Sequence, residues 1–243
     1  MRVLVVGTGD AFSSERFGCS CVVEGPLGHV LVDCPDMIHA ALRRASEASG
    51  WKVDARSMQD IIVTHLHGDH CNGLESLGFH RWLLHRERGV PLPRLHCGRE
   101  VAARLWERLG PAMDQGGAAR LDDYFTVHTL VPGVTASIGG LQVECRPTRH
   151  SVPTLAFRFT CEGRTFAWSS DTPFDAGLVA WLEREARLIV HETSPSSVHT
   201  PIEPLNALPD PIRARMRLMH MPDGFDTACT DIPCLRQGEV LSI

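Results

Sequence analysis

Apolar and polar positions along the chain follow two rhythms. Short runs rich in Val, Ile and Leu, with Gly, Pro or Asp at their ends, predict strands at Arg2–Val6, Cys19–Glu24, His29–Asp33 and Ile61–Thr64. Gly25-Pro26-Leu27-Gly28 separates the second and third of these as a turn. Met37–Ala48 instead carries Met37, Ile38, Ala41, Leu42 and Ala45 at helical spacing and stops before Gly50. Leu74–His85 and Arg99–Leu109 also read as helices. The second half repeats the theme, with strands at Leu141–Cys145, Leu155–Thr160 and Thr165–Ser169, the last two joined by a Glu162-Gly163 turn. A helix over Asp175–Ala186 and a strand over Leu188–His191 follow. Five prolines from Pro195 to Pro211 predict a loop, then a short helix around Ile212–Met216 and a strand into His220. Strands punctuated by helices, twice over, predict an α/β protein whose sheets are covered by helices. With no low-complexity stretch and no linker, residues 1–243 are expected to form one domain.

Composition narrows the class. At 43% hydrophobic and 22% charged residues, the chain can bury a substantial core. A formal net charge of −5 argues against a surface that binds nucleic acid throughout, and leaves a local basic or metal-derived patch as the route to phosphate. Apolar runs fall far short of a bilayer span, so no membrane partner is expected, and Val3–Val6 is too short for the core of a signal peptide. Nine cysteines, odd in number and without close paired spacing, predict reduced thiols in a cytoplasmic protein, mostly as small core residues. Cys19-Ser20-Cys21 lacks the spacing of a zinc thiol pair and runs on into Val22 and Val23, which reads as strand.

The densest chemistry lies in Thr64-His65-Leu66-His67-Gly68-Asp69-His70, where three imidazoles and a carboxylate follow an apolar strand. On a helix His65 and His67 would diverge. A loop leaving a strand end can wrap them around ions, with Gly68 easing the turn. Imidazole with carboxylate suits zinc, and also manganese or iron.

A His-x-His-x-Asp-His run after a strand resembles the hallmark of the metallo-β-lactamase superfamily. Pro147-Thr148-Arg149-His150-Ser151, Ser169-Ser170-Asp171-Thr172 and Leu218-Met219-His220 resemble its later motifs, in order, so the likeness spans nearly the whole chain. It implies an αββα four-layer sandwich holding two divalent ions, Zn2+ foremost, with Mn2+ or Fe2+ as alternatives. Carried over by position, His65, His67 and His150 would hold one metal, and Asp69, His70 and His220 the other, with Asp171 bridging. Asp69 would also be catalytic. Asp33, at a strand end, and His191 and Glu192 would support the ligands by hydrogen bonds.

Gly7-Thr8-Gly9-Asp10-Ala11, Val32-Asp33-Cys34, Ile189-Val190-His191-Glu192-Thr193 and Val198-His199-Thr200 are similar to the tRNase Z-like branch of tRNA 3′-end nucleases and related phosphodiesterases. That similarity implies His199 as a catalytic histidine in phosphodiester cleavage, and a homodimer. The nucleases carry a long, Gly-rich basic arm between the motifs matching His150 and Asp171, whereas here only twenty residues lie between them. Without the arm tRNA has no evident dock, and a small anionic phosphodiester is the expected substrate. Two divalent ions offset by Asp69, Asp171 and a shared hydroxide leave a positive site. The hydroxide would attack phosphorus in line, and protonated His199 would serve the leaving alkoxide.

The same chemistry could open a lactone, thioester or amide, for which Phe12, Trp82, Trp106 and Phe174 could wall an apolar pocket. A non-catalytic metal-binding accessory role is a further alternative. A di-iron oxidoreductase fits worse, since His67 stands where those relatives carry Glu and no flavin domain is attached. Gly7-Thr8-Gly9-Asp10 reads as a tight turn, because Phe12 occupies the place of a dinucleotide fingerprint's third glycine. His29, His39, His80, His85, His96 and His128 do not cluster with acids as the metal motifs do and are expected to be solvated or satisfied.

Overall fold

The computed structural model describes residues 1–243. Its first half contains β1 (Arg2–Gly7), β2 (Ser20–Gly25), β3 (Gly28–Val32), α1 (Ile38–Ser49), β4 (Asp60–Val63), the single turn α2 (Gly68–Cys71), α3 (Gly73–Arg88), β5 (Arg94–Gly98), α4 (Arg99–Met113) and β6 (Thr126–Leu130). Next come β7 (Ala136–Ile138), β8 (Leu141–Pro147), β9 (Leu155–Cys161), β10 (Arg164–Trp168), α5 (Ala176–Glu183) and β11 (Ala186–Glu192). The chain closes with α6 (Ile202–Asn206), α7 (Asp210–Arg213), β12 (Met216–Met219) and β13 (Val240–Ser242).

Two sheets form, in the orders β13-β1-β2-β3-β4-β5-β6 and β12-β11-β10-β9-β8-β7. Strand alternation explains how they stack. Leu4 and Val6 of β1, Leu31 of β3, and Ile61 and Val63 of β4 join α1, α3 and α4 in one apolar cluster. Their alternates Val3, Val5, Val30, Val32 and Ile62 meet Phe157, Phe159, Phe166, Trp168 and Val190 of the second sheet in another. On the far side Ala156, Ala167 and Ile189 pack with Leu178 and Leu182 of α5. Helix, sheet, sheet and helix are therefore separated by three apolar seams, giving the αββα sandwich. No helix is long and apolar enough to cross a membrane.

Four strands escape the periodicity. β5 reads Arg-Leu-His-Cys-Gly and mixes charge with burial, β6 is an exposed edge, and β7 and β13 have three residues each. Only partners make them strands, as when β13 lies antiparallel on β1 with Arg2 opposite Ser242. The short helix expected at Ile212–Met216 instead spans Asp210–Arg213, because Met216 is drawn into β12 beside Ile189 of β11. The proline-rich loop also contains α6, capped by Pro201. Pro fits there because a helix's first amides lack intrahelical partners.

β3 to β6 run parallel, as do β10 to β12. Their carboxyl ends point the same way within each sheet, and ligand sites in open α/β sheets form outside such ends. Asp33 follows β3, the His65 loop follows β4, Asp171 follows β10, Glu192 ends β11 and His220 follows β12.

Candidate metal centre

Each strand end hands over a side chain in a fixed direction. Asp33, Ser170 and His220 all adopt left-handed backbone, with φ of 61°, 54° and 57°. That conformation is uncommon for residues other than glycine and clusters at sites where the surroundings over-determine it. The β3 and β4 ends interlock through Asp33, whose carboxylate accepts from the Thr64 amide (2.8 Å) and hydroxyl (2.9 Å). The Cys34 amide donates to the His70 carbonyl (2.8 Å), and the Gly73 amide to the Cys34 carbonyl (2.9 Å). Gly73 must be glycine here, because a Cβ would sit 2.2 Å from the Pro35 carbonyl oxygen. Gly68 is not at positive φ; it opens α2, the turn that presents Asp69 and His70.

Side chains far apart in sequence meet in two groups. His65, His67, His150 and Asp171 form one and Asp69, His70, Asp171 and His220 the other, with donor atoms in each within 4.8 Å of one another. In the first, His65 Nε2 and His150 Nε2 lie 3.2 and 3.1 Å from His67 Nδ1 and 3.6 and 3.7 Å from Asp171 Oδ2. In the second, His70 Nε2 lies 3.3 Å from both Asp171 Oδ1 and Asp69 Oδ2, and His220 Nε2 lies 3.2 Å from Asp69 Oδ2. Asp171 belongs to both groups: its Oδ1 faces His70, while its Oδ2 faces His65 and His150 and also lies 3.5 Å from His220 Nε2.

The residues fit divalent cations. His70 Nε2 and Asp171 Oδ1 are buried with no hydrogen-bond partner, where buried polar atoms are nearly always paired. His65 Nε2 and His150 Nε2 each lie within 3.2 Å of His67 Nδ1, so three ring nitrogens converge with lone pairs to share but few protons. Burial, reinforced by His70, pushes the His65 ring well below the usual histidine range, and burial lowers His67 and His150 too. All three therefore present neutral imidazole. In the second group burial is outweighed by Asp171, which with Asp33 raises His70 and with Asp69 raises His220. The Asp69 and Asp171 carboxyls are held low because the surrounding histidines overcome burial.

Most of the outer ring nitrogens are also committed, although His220 Nδ1 has no hydrogen-bond partner. His70 Nδ1 donates to Asp33 Oδ2 (2.8 Å), His65 Nδ1 to Thr64 Oγ1 (2.9 Å) and His150 Nδ1 to the Val198 carbonyl (3.2 Å), while Ser151 Oγ lies 3.3 Å from His67 Nε2. Such contacts fix tautomer and ring orientation. Thr64 and Ser151 were not singled out from sequence, although each adjoins a histidine of the cluster.

Glu192 and His191, each expected to support a ligand by a hydrogen bond, face apart. Glu192 Oε1 accepts from the Thr172 amide (2.7 Å) and from His199 Nδ1 (2.9 Å). The His199 ring stacks on His220 at 4.8 Å between centroids, with Nδ1 3.8 Å from Asp171 Oδ2. Burial, and then Asp171, pushes the Glu192 carboxyl well up. The expectation for His191 is corrected: its only side-chain hydrogen bond is to the Glu192 carbonyl (2.8 Å), and burial lowers its ring to about 4. Adjacent residues of a strand point to opposite faces, so only one of the two can reach the centre.

Other expectations also change. Phe12 is 92% exposed, Trp82 and Trp106 pack on the first apolar cluster, and Phe174 on the third, so none walls the cavity beside His67. His96 does meet an acid, since parallel pairing of β4 with β5 puts its Nε2 2.9 Å from Asp60 Oδ1. The Gly7 turn closes on the segment after His220, with the Met221 amide donating to the Thr8 carbonyl (3.0 Å). Six cysteines are buried, Cys71 among them in the first cluster, and Cys229 alone is exposed.

The family described as Anti-Pycsar protein Apyc1 matches residues 1–236. This chain belongs to that family. The Apyc1 of Saccharibacillus brassicae is 30% identical over 230 residues, covering 92% of this chain and 90% of its own. Beyond the Apyc1 proteins, the chain is 21% identical over 252 residues to the cGMP-dependent 3′,5′-cGMP phosphodiesterase A of Dictyostelium discoideum, covering 97% of this chain but 27% of that protein. Among solved structures, the metallo-β-lactamase fold protein YhfI of Bacillus subtilis superposes with a TM-score of 0.76 at 16% identity, over 99% of this chain and 98% of its own. The Apyc1-family chain thus has the metallo-β-lactamase fold expected from its motifs.

Proposed function

We propose that this Apyc1-family protein is a dinuclear metal-dependent phosphodiesterase that hydrolyses a small cyclic nucleotide, working as one domain in a reducing, cytoplasmic compartment. The observation that carries the reading is Asp171, the one carboxylate that belongs to both donor groups. The name of the Dictyostelium relative supports a cyclic nucleotide as the substrate class. The free, mostly buried cysteines support the compartment.

His65, His67 and His150 would hold one ion, Asp69, His70 and His220 the other, and Asp171 both. Nitrogen-rich and mixed donors of this kind favour Zn2+, with Mn2+ or Fe2+ acceptable. When bound, two such ions supply an activated water and neutralise charge on a phosphoryl group. The protein's own part is positioning and proton handling. Glu192 takes the Nδ1 proton bond of His199, which leaves Nε2 as the nitrogen that gives a proton to the departing alkoxide. The Thr172 amide holds Glu192 in turn. Asp69, between His70 and His220, keeps the negative charge that matches the cations and bears on the reacting centre. Between His150 and Asp171 the chain is taken up by β9, β10 and their turn, which supports a small substrate over tRNA.

The test is turnover of bis(p-nitrophenyl) phosphate and of 3′,5′-cyclic nucleotides by protein of measured metal content. Chelation should abolish it, and returned Zn2+ or Mn2+ should restore it. Turnover that survives complete metal removal would refute the metal-dependent reading. Activity confined to lactones or thioesters would refute the phosphodiester.

A further inference from the structure

Away from the metal centre, helix α1 turns a polar stripe toward other parts of the fold. His39, Arg43, Ser46 and Glu47 recur at helical spacing beside the buried Ile38, Ala41, Leu42 and Ala45. Across from them stand His80 of α3 and the Lys52–Ser57 stretch that leads into β4, and together they line a hollow of about 690 Å³. None of these residues belongs to the two donor groups, and none lines the cavity beside His67. His80 is seven residues into α3 from Gly73, about 10 Å along the helix axis at 1.5 Å per residue.

The lining holds cations that the protein leaves unpaired. Its two carboxylates are already committed: Asp54 accepts from the Arg56 and Ser57 amides (both 2.9 Å), and Glu47 meets Arg43 one turn away (3.3 Å). The hydroxyls are committed as well, Ser46 to the Trp51 carbonyl and Ser57 to the Asp54 carbonyl (2.9 Å). Lys52 and Arg56 enter no ion pair, and both are exposed. Beside them are two imidazoles, His39 and His80, with ring centroids 5.4 Å apart. His80 Nδ1 is buried without a partner. A buried lone pair left unpaired is better tolerated than a buried N–H, so the ring proton belongs on Nε2, the accessible nitrogen.

Burial, His39, Arg56 and Arg81 hold the His80 ring below the usual histidine range against Asp54 alone, which marks the hollow as a place of positive potential. A divalent cation would find two imidazoles amid like charge, so the fitting occupant is an anion. Charge narrows the class further. A phosphomonoester carries about −1.5 to −2 at pH 7, which two free cations match, and its remaining oxygens can accept from the imidazoles. A cyclic phosphodiester, with a single negative charge and two unesterified oxygens, suits the lining less.

We propose that the hollow between α1, α3 and the Lys52–Ser57 stretch is a second anion site, taking a phosphate dianion on Lys52, Arg56, His39 and His80. The dianion is free phosphate or the phosphoryl group of a nucleoside monophosphate, the class of compound that hydrolysis of a cyclic nucleotide releases. The binding stands apart from the phosphodiesterase reading, because the lining carries it whatever the metal centre hydrolyses.

The test titrates inorganic phosphate into zinc-loaded protein and follows histidine ring resonances by NMR, with two signals assigned from His39→Gln and His80→Gln. Histidines of the metal centre appear in the same spectra and report phosphate bound there, so the two places are read separately. The His39 and His80 signals should shift with a Kd of about 1 mM or tighter. In the Lys52→Ala/Arg56→Ala double variant that Kd should weaken about tenfold or more, while zinc content and Tm stay at wild-type values. Alanine keeps the Arg56 carbonyl that accepts from Arg81, so the variant retains that contact. A nucleoside 5′-monophosphate is titrated in parallel. Tighter binding than phosphate at these signals makes a nucleotide the ligand, and equal or weaker binding makes it free phosphate; either result keeps the site. Signals of His39 and His80 that stay still at about 20 mM phosphate, or a Kd unchanged in the double variant, would overturn the proposal.

Discussion

Replacing Asp33 by Asn should weaken metal binding without unfolding the protein. The carboxylate takes three hydrogen bonds, from the Thr64 amide at Oδ1 and from the Thr64 hydroxyl and His70 Nδ1 at Oδ2. An amide placed there keeps the acceptor for the Thr64 amide but turns an NH2 group toward two other donors. His70 can answer only by giving up its Nδ1 proton and carrying one at Nε2, the atom that faces Asp69 and Asp171. A protonated Nε2 cannot ligate. Loss of such an outer contact costs 10–100-fold in metal affinity, about 1.4–2.7 kcal/mol. Asp33→Ala goes further and orphans all three donors in a fully buried place. Each orphan costs about 1–3 kcal/mol and the costs overlap, so a total near 3 kcal/mol is expected. For a chain of this size that lowers the Tm of metal-free protein by about 6–12 °C. Competition with a chromophoric zinc chelator measures the affinities, and thermal melts of stripped protein measure the stability. In Asp33→Asn one of two ions should bind at least tenfold more weakly. Two ions held at wild-type affinity would refute the claim that Asp33 sets the His70 tautomer.

Two further outcomes follow from the same geometry. His199→Ala should lower phosphodiester turnover at least tenfold while metal stays near two ions per chain by elemental analysis; unchanged turnover would remove His199 from the proton path. Asp60 is buried, which alone would push its carboxyl up, but bonds from His96 and Arg94 outweigh this and hold it at about 2, below the ordinary 3.8. Because the folded value is the lower one, the stabilisation is fully present above about pH 4 and is lost as pH falls toward 2. Asp60→Asn should therefore be less stable than wild type by about 2 kcal/mol at pH 6 in urea unfolding. The gap should narrow to about a third near pH 2.5 and approach zero only below about pH 2, and a constant gap across that range would contradict the ion-pair origin.

How much of this was readable without coordinates depended on the range over which each signal acts. Short continuous apolar runs at Val3–Val6 and Ile61–Val63, and helical spacing in Ile38–Ala45, report local burial, so those elements stood out in the sequence. So did the His65–His70 run, because six consecutive residues cannot avoid one another. His150, Asp171 and His220 carry no such local mark; their order along the chain and their likeness to superfamily motifs singled them out. Tertiary structure alone decided what depends on a partner strand or an opposed face. β5 exists because β4 and β6 flank it, and that pairing brings His96 to Asp60. Asp33 meets His70 because β3 and β4 end side by side. His191 turns from the centre while Glu192 enters it, although they are neighbours in sequence, because strand geometry sends adjacent side chains to opposite faces. The cavity beside His67 arises only where loops from both sheets close over one helix, an arrangement of surfaces that no local pattern of residues encodes.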